Sequence, residues 1–323
     1  METFTLANRL LQRDPEGRRR QLRVRTYAVT CVNHQSGILE WVPHTTKFRS
    51  VVGEVYRDEN FSYPFVVDEK VMNEIVRIQG IRSDTHKLKE YRENILQKFP
   101  PRMHNWFTKT YPVPTQWFEA RLRFARSSAA WSMIGHIVGL GDRHSENILI
   151  DTTTGECVHV DFDCIFDKGI LALARPEIVP FRLTPQVVDG LGITGYEGVF
   201  RGSCEATMRV LRSNRDMVLS VLEAFLHDPV VDFGSVSKGK THSSKIAMKA
   251  LDRTKKRLNG VYNYHPPKRG NNKHHPSPQS VGITANMTAF IPLSIEGQVQ
   301  KLIDEATNEL SLVEMFYGWM AFA

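Results

Sequence analysis

The stretch from Gly139 to Asp163, G-L-G-D-R-H-S-E-N-I-L-I-D-T-T-T-G-E-C-V-H-V-D-F-D, constrains this chain more than any other. Ile148-Leu149-Ile150 is a short apolar run, Asp151 to Gly155 is turn-forming, and Cys157-Val158-His159-Val160 is a second run rich in β-branched residues. The three segments together predict a β-hairpin. Antiparallel strands bring the residue before the first strand beside the residue after the second. Asn147 and Asp161 are therefore expected at the same open end, with backbones about 5 Å apart if they pair. An amide oxygen and a carboxylate that close can share a hard divalent cation, and Mg²⁺ prefers such oxygen ligands completed by phosphate and water. Asp, Asn and Gly also gather in ordinary turns, and a lone D-R-H would mean little. Three spaced polar residues, a hairpin that converges two of them and apolar flanks on each side set this stretch apart from a purely structural hairpin.

Asp142 lies five positions before Asn147. That is the Asp-to-Asn spacing of the phosphotransfer loop H-R-D-x-x-x-x-N, except that here the histidine follows the aspartate. The pattern reads as a phosphotransfer centre. The rest of the composition permits it: 323 residues with 41% hydrophobic content suit one two-lobed domain or two small ones. The longest apolar region, Ala129 to Gly141, is too short to span a bilayer and is interrupted by Ser132 and His136. The N-terminus shows no signal-peptide pattern, since Arg9 and Arg13 bracket only a brief apolar pair. Cys31, Cys157, Cys164 and Cys204 show no C-x-x-C spacing and suit a reducing compartment. The net charge of +7 is concentrated between Lys238 and His275, where eleven Lys/Arg face one acid, Asp252. A nucleic-acid role for that segment competes with a solvated loop, and the loop is favoured because only Tyr262 and Tyr264 could stack.

G-D-R-H-S-E-N followed by V-H-V-D-F-D resembles the catalytic and metal-binding loops of the phosphatidylinositol 3-kinase-related protein kinases. The continuation from Cys164 to Gly169, then P-E-I-V-P-F-R-L-T over Pro176 to Thr184, is similar to the ATR-type checkpoint branch. The similarity runs from about Met1 to His227 and resumes from about Ile291. It implies an α+β, protein-kinase-like two-lobed fold with a mostly helical large lobe and an incomplete small lobe. The implied divisions are a partial small lobe and hinge over 1–43, a large lobe over 44–233, a basic low-complexity insert over 234–290 and a FATC-like tail over 291–323. Relatives carry a glycine-rich phosphate loop and a phosphate-binding lysine ahead of the helix with which this chain opens. A fragment of a longer kinase is therefore expected in preference to a true short form, with weak ATP binding or none by the chain alone.

Along the chain, Phe4, Leu6, Leu10 and Leu11 predict a helix over Glu2 to Gln12. Leu22 to Val32 and Gly37 to Val42 read as strands. Helical runs are expected over Asp68 to Gln79, Leu88 to Phe99 and Thr115 to Val138, where Ser132 and His136 read as satisfied core groups. Gly139 and Gly141 permit a tight entry to the following loop. Cys164 to Pro180 resembles an activation loop, and its two cations, Lys168 and Arg175, stand against Asp167 and Glu177, so no phosphoinositide headgroup site is suggested. Glu205 to His227 predicts an amphipathic helix or a pair. Gly234 to Asn286 reads as a flexible insert, in which His274 and His275 lack zinc partners. Gly297 to Leu310 predicts a helix, followed by the ending M-F-Y-G-W-M-A-F-A. Relatives usually end Gly-Trp-x-Pro-Phe plus an aromatic, and the departures at Ala321 and Ala323 imply a less fully packed tail.

The resemblance assigns roles residue by residue. Asp142 orients the substrate hydroxyl and accepts its proton, His144 steadies the transferring phosphoryl oxygens, and Arg143 braces the loop. Asn147 and Asp161 hold Mg²⁺ against the phosphates of ATP. The backbone of Glu40 and Val42 bonds the adenine edge, Trp41 stacks on its face, and Leu149 and Val160 floor its pocket; from spacing alone, Trp41 is equally an ordinary buried tryptophan. The implied substrate is Ser or Thr of a protein, preferably followed by Gln, in nuclear DNA-damage signalling. A regulatory subunit of the ATR-interacting type is implied, with DNA engaged only through partners and no membrane. An inactive short form acting as an interaction module and a phosphoinositide lipid kinase are the alternatives.

Overall fold

The computed structural model describes residues 1–33, 36–59, 69–171, 173, 175, 177–226, 240–261 and 292–322. It opens with helices α1 (Glu2–Arg13) and α2 (Pro15–Arg19). Phe4, Ala7, Leu10 and Leu11 form the buried stripe of α1. The Asp14 carboxylate then caps α2 by accepting the Gly17 N–H at 2.8 Å, with Pro15 at the first helical position. The alternation expected from Leu22 is present, since Leu22 and Val24 are buried and Arg23 is exposed. Only its far end pairs, however: β1 (Val29–Asn33) runs antiparallel to β2 (Ser36–Leu39), an exposed two-stranded ribbon.

Strand β3 (Thr45–Lys47) leads into α3 (Phe48–Asp58), then α4 (Glu69–Gln79) and α5 (Asp84–Tyr91). Asp68, expected to start α4, lies outside the described residues. The run expected from Leu88 to Phe99 is instead the end of α5 and a π turn over Arg92–Leu96. Helix α6 (Met103–Thr110) precedes the 25-residue α7 (Pro114–Val138), whose second half is buried on every side, as an apolar helix at the centre of a fold must be. Strands β4 (Ile148–Asp151) and β5 (Cys157–His159) form the expected hairpin, and β3 joins them in a β3-β4-β5 antiparallel sheet. Trp131 of α7 binds this sheet to the helices. Its ring stacks on His159 with centroids 4.6 Å apart, and its Nε1 donates to the Cys157 carbonyl at 3.2 Å.

Beyond the sheet come α8 (Lys168–Leu171), α9 (Pro185–Gly190), α10 (Val199–Ser213) and α11 (Arg215–Leu226), so the amphipathic run is a helix pair. Helix α10 packs along α7. The expectation of a flexible insert is corrected over part of its length. Residues Lys240–Leu258 form α12, which buries Ala250, Thr254 and Leu258 on the helical body. A spacing of four residues sets those three on one face. Tyr262, Tyr264, His274, His275 and the rest of 262–291 lie outside the described residues.

Helices α13 (Ile295–Ala306) and α14 (Glu309–Glu314) follow, capped by Ser294 and Asn308. A 3₁₀ turn over Tyr317–Trp319 follows, leading into Met320–Phe322. The tail is packed despite the substitution at Ala321: Trp319, Met320, Ala321 and Phe322 are all buried, and Phe322 meets Phe99 with ring centroids 4.5 Å apart. A small residue at 321 leaves the aromatic anchors in place. No helix among the described residues is long and apolar enough to cross a membrane.

Candidate active site

The hairpin register sets the geometry of the site. Ile148 faces His159 and Ile150 faces Cys157, and the Val160 N–H donates to the Asn147 carbonyl at 3.1 Å. Asn147 thus opposes Val160, and Asp161 stands one residue further on. This corrects the expectation of direct pairing while keeping both residues at the open end. Asp161 leaves the strand with φ +59 and an exposed side chain, the left-handed conformation that Asp tolerates better than most residues.

Arg143 binds this end to the loop that precedes it. It is only 3% exposed, and its Nε donates to the Gly141 carbonyl at 2.8 Å and its Nη1 to the Val160 carbonyl at 2.7 Å. Its Nη2 donates to the Asp161 carbonyl. A planar guanidinium with five fixed donors can join three separated carbonyls in this way. Asp142 takes φ +58 beside it. The Asn147 Nδ2 donates to the Asp142 carbonyl at 3.0 Å and reaches its carboxylate at 3.4 Å. With Nδ2 so occupied, the Asn147 Oδ1 is the atom left to act as a ligand.

His144 lies 3.9 Å from the Asp142 carboxylate through its Nε2, and its Nδ1 accepts the Glu146 N–H at 3.2 Å. Burial lowers its pKa more than Asp142 raises it. A neutral ring whose Nδ1 accepts must carry its proton on Nε2. His144 therefore presents a neutral N–H donor beside the aspartate.

Val42 joins Tyr27 and Val158 in one apolar cluster, against which Leu149, Val160 and Phe162 pack. Glu40 and Trp41 follow strand β2 and are not part of it, which shortens the expected strand. Trp41 is 86% exposed, so the reading of an ordinary core tryptophan fails. The Glu40 N–H is taken by the Ala28 carbonyl at 2.9 Å, and the Val42 carbonyl accepts from the Thr45 hydroxyl at 2.9 Å. Among the described hydrogen bonds, the Glu40 carbonyl and the Val42 N–H remain for a ligand.

The donor chemistry fits magnesium. Asn147, which is buried, offers a neutral amide oxygen and Asp161 an exposed carboxylate, both hard oxygen donors of the kind Mg²⁺ takes alongside phosphate and water. Among the described residues no cluster of three or more His, Cys, Asp or Glu could hold a metal by itself.

Residues 1–235 match the phosphatidylinositol 3- and 4-kinase family and residues 292–323 match the FATC domain. The chain belongs to the phosphatidylinositol 3- and 4-kinase family and carries a FATC domain at its C-terminal end. It is 42% identical over 326 residues to the serine/threonine-protein kinase ATR of Oryza sativa subsp. indica, covering 100% of this chain and 11% of that protein. It is 41% identical over 322 residues to protein kinase rad3 of Schizosaccharomyces pombe, covering 100% of this chain and 12% of that protein. Among solved structures, the FAT and kinase domain of CtTel1 superposes with a TM-score of 0.77 at 32% identity, over 99% of this chain and 20% of that one. A Tel1 kinase butterfly symmetric dimer gives 0.79 at 30% identity, over 99% and 12%. The fold is thus the two-lobed, kinase-like α+β fold.

Three contributors to the loop were not identified from the sequence. Glu177, read only as a loop charge, is buried and accepts the Asp142 N–H at 2.6 Å and the Arg143 N–H at 3.2 Å. Trp319 of the tail donates to the same carboxylate at 2.6 Å. Arg182 lies 4.4 Å from the Trp319 ring centroid. The available signal was an acid and an arginine set among Ile178, Val179, Phe181 and Leu183, where exposed charges would not be expected. His136 is also corrected. It is buried as expected, but its Nε2 has no hydrogen-bond partner among the described residues.

Proposed function

We propose that this chain carries the catalytic loop, cation ligands and adenine wall of an ATP-dependent serine/threonine protein kinase of the ATR type. The observation that carries the reading is the single hydrogen-bonded unit in which Arg143 and Asn147 tie Asp142 to the open end of the hairpin at Val160 and Asp161. Phosphoryl transfer asks a protein for positioning and charge stabilisation more than for covalent chemistry. Asp142 orients the acceptor hydroxyl and takes its proton. His144 aims its Nε2–H at the transferring oxygens, and Asn147 and Asp161 hold the cation. Bound Mg²⁺ supplies the charge neutralisation that phosphate oxygens require. Trp41 offers an exposed aromatic face to adenine, the Glu40 carbonyl and Val42 N–H match its edge, and Leu149 and Val160 line the floor.

The protein substrate, the preference for Gln after the acceptor Ser or Thr, the checkpoint role, the nuclear location and a regulatory subunit are supported by similarity to ATR and rad3 kinases, of which the chain spans 11% and 12%. A lipid substrate is disfavoured because the two cations of the activation-loop segment have protein partners: Lys168 faces Asp163 at 3.9 Å and Arg175 donates to Gln79 at 2.7 Å. The test is phosphate transfer from radiolabelled ATP by the native polypeptide purified from its source. The expected outcome is labelling of a Ser-Gln peptide, weaker labelling of its Ser-Ala counterpart and none of phosphoinositide vesicles. Labelling of the vesicles alone, or of no substrate, would overturn the proposal.

A further inference from the structure

We infer that the C-terminal tail sets the geometry of the catalytic loop through one carboxylate, with Trp319 and Glu177 acting as positioning residues for Asp142. The inference rests on the proposed role of Asp142 as the residue that orients the hydroxyl.

Asp142 holds φ +58, a conformation that a non-glycine residue keeps only when its surroundings impose it. Asn147 holds the Asp142 carbonyl, and Glu177 holds the N–H side. Its two carboxylate oxygens accept two consecutive backbone N–H groups, Asp142 at 2.6 Å and Arg143 at 3.2 Å, which fixes the orientation of both peptide planes. The approach is close enough to require glycine opposite: a Cβ on Gly141 would lie 2.8 Å from Glu177 Oε2 and 2.9 Å from Gly169 Cα. The carboxylate is in turn fixed by the Trp319 Nε1–H at 2.6 Å. Trp319 cannot easily turn away. The Arg182 guanidinium packs over its ring, donating to the Trp319 carbonyl at 2.8 Å and the Met320 carbonyl at 2.9 Å. One side chain therefore separates the tail indole from the backbone of the proposed catalytic aspartate.

A tail that only fills space would need the indole ring and not its N–H. The two roles separate through the charge of Glu177. Burial raises its pKa, while the Asp142 N–H and then the Trp319 N–H pull it down. Arg143, Asp142 and Cys164 face it from the loops around it. His136 of α7, held neutral by burial, and Asp167, Arg253, Lys256 and Arg257 line the cavity that it shares with α12. Protonation removes acceptor capacity from the clamp, so turnover is expected to fall on the acid side as Glu177 gains its proton. Removing the indole donor moves that fall to higher pH.

The experiment compares kcat, KM for ATP and the kcat–pH profile of the native polypeptide with Trp319→Phe, Glu177→Gln and Asp142→Asn variants. Trp319→Phe keeps an aromatic ring under Arg182 and loses the donor together with one ring of the indole, a loss of volume that by itself lowers kcat without moving the acid limb. Expected is a kcat about tenfold to a hundredfold lower, the scale of a misplaced reacting group, with KM little changed and the acid limb shifted upward. Glu177→Gln lowers kcat and removes the limb. Unchanged kcat and limb in Trp319→Phe, or a lower kcat with an unmoved limb, overturns the inference. If Asp142→Asn is inactive while the other two behave as wild type, the positioning role alone fails. If Asp142→Asn retains turnover, the proposed role of Asp142 fails as well.

Discussion

Single residues show where polar pattern alone was informative. Asp142, Asn147 and Asp161 were legible because their spacing and the intervening hairpin leave few other geometries. Glu177 was not, because its partners are backbone amides 34 and 35 positions away and an indole 142 positions away. The buried histidines carry a prediction at this scale. His136 and His159 are held neutral, their pKa values pushed well below the ordinary histidine range chiefly by burial. An unfolded histidine takes its proton near pH 6.5, so as pH falls below that value the unfolded state binds protons that the folded state refuses. Stability is then lost. Glu177 and Glu305, both raised by burial, Glu305 to about 7, work in the opposite sense, so the histidine contribution is read from a variant that lacks it. On going from pH 7 to pH 5, the melting temperature of a His136→Gln/His159→Gln variant should therefore fall less, or rise more, than that of the wild type. An equal pH dependence in both proteins would contradict this origin.

At the scale of elements, the long helices and the hairpin followed from periodicity and turn chemistry, whereas α12 did not. Its sequence is polar and basic, and most of what holds it lies elsewhere in the chain. The Asp167 carboxylate, buried and with φ +61, receives Arg257 at 2.6 Å and Arg253 at 2.7 Å. Asp167 follows directly on Phe166, whose N–H donates to the Val138 carbonyl, and its own N–H donates to the Gly139 carbonyl at 2.9 Å. Helix α12 is thus fastened to the entry of the proposed catalytic loop, where Gly139 ends α7 at φ +66. Asp167→Asn keeps the shape and removes the charge, leaving two guanidiniums without a counter-ion. Breaking one side of a buried pair costs about 3 kcal/mol. That loss should appear as a lower urea midpoint, and Arg253→Met/Arg257→Met in the same background should recover part of it. A midpoint equal to wild type in Asp167→Asn would show that the pairs do not hold α12.

Across the whole molecule, the tail closes what the first two-thirds of the chain begins. Buried Lys87 pairs with the partly exposed Glu314 at 2.5 Å, and Gln79 donates to the Val313 and Met315 carbonyls at 2.8 and 2.9 Å. Phe322 seats against Phe99. The sequence indicated the tail as a module but not its contact with the site, since nothing local to M-F-Y-G-W encodes a partner near Asp142. The proposed kinase activity depends on the hairpin end and the loop before it forming one cation–nucleotide site. Calorimetric titration of the native polypeptide with a non-hydrolysable ATP analogue, with Mg²⁺ or with EDTA, tests that most directly. Binding strengthened by Mg²⁺ in the wild type, and the same with Mg²⁺ as with EDTA in folded Asn147→Ala and Asp161→Ala variants, is the predicted result. Mg²⁺-strengthened binding undiminished in both variants would contradict it.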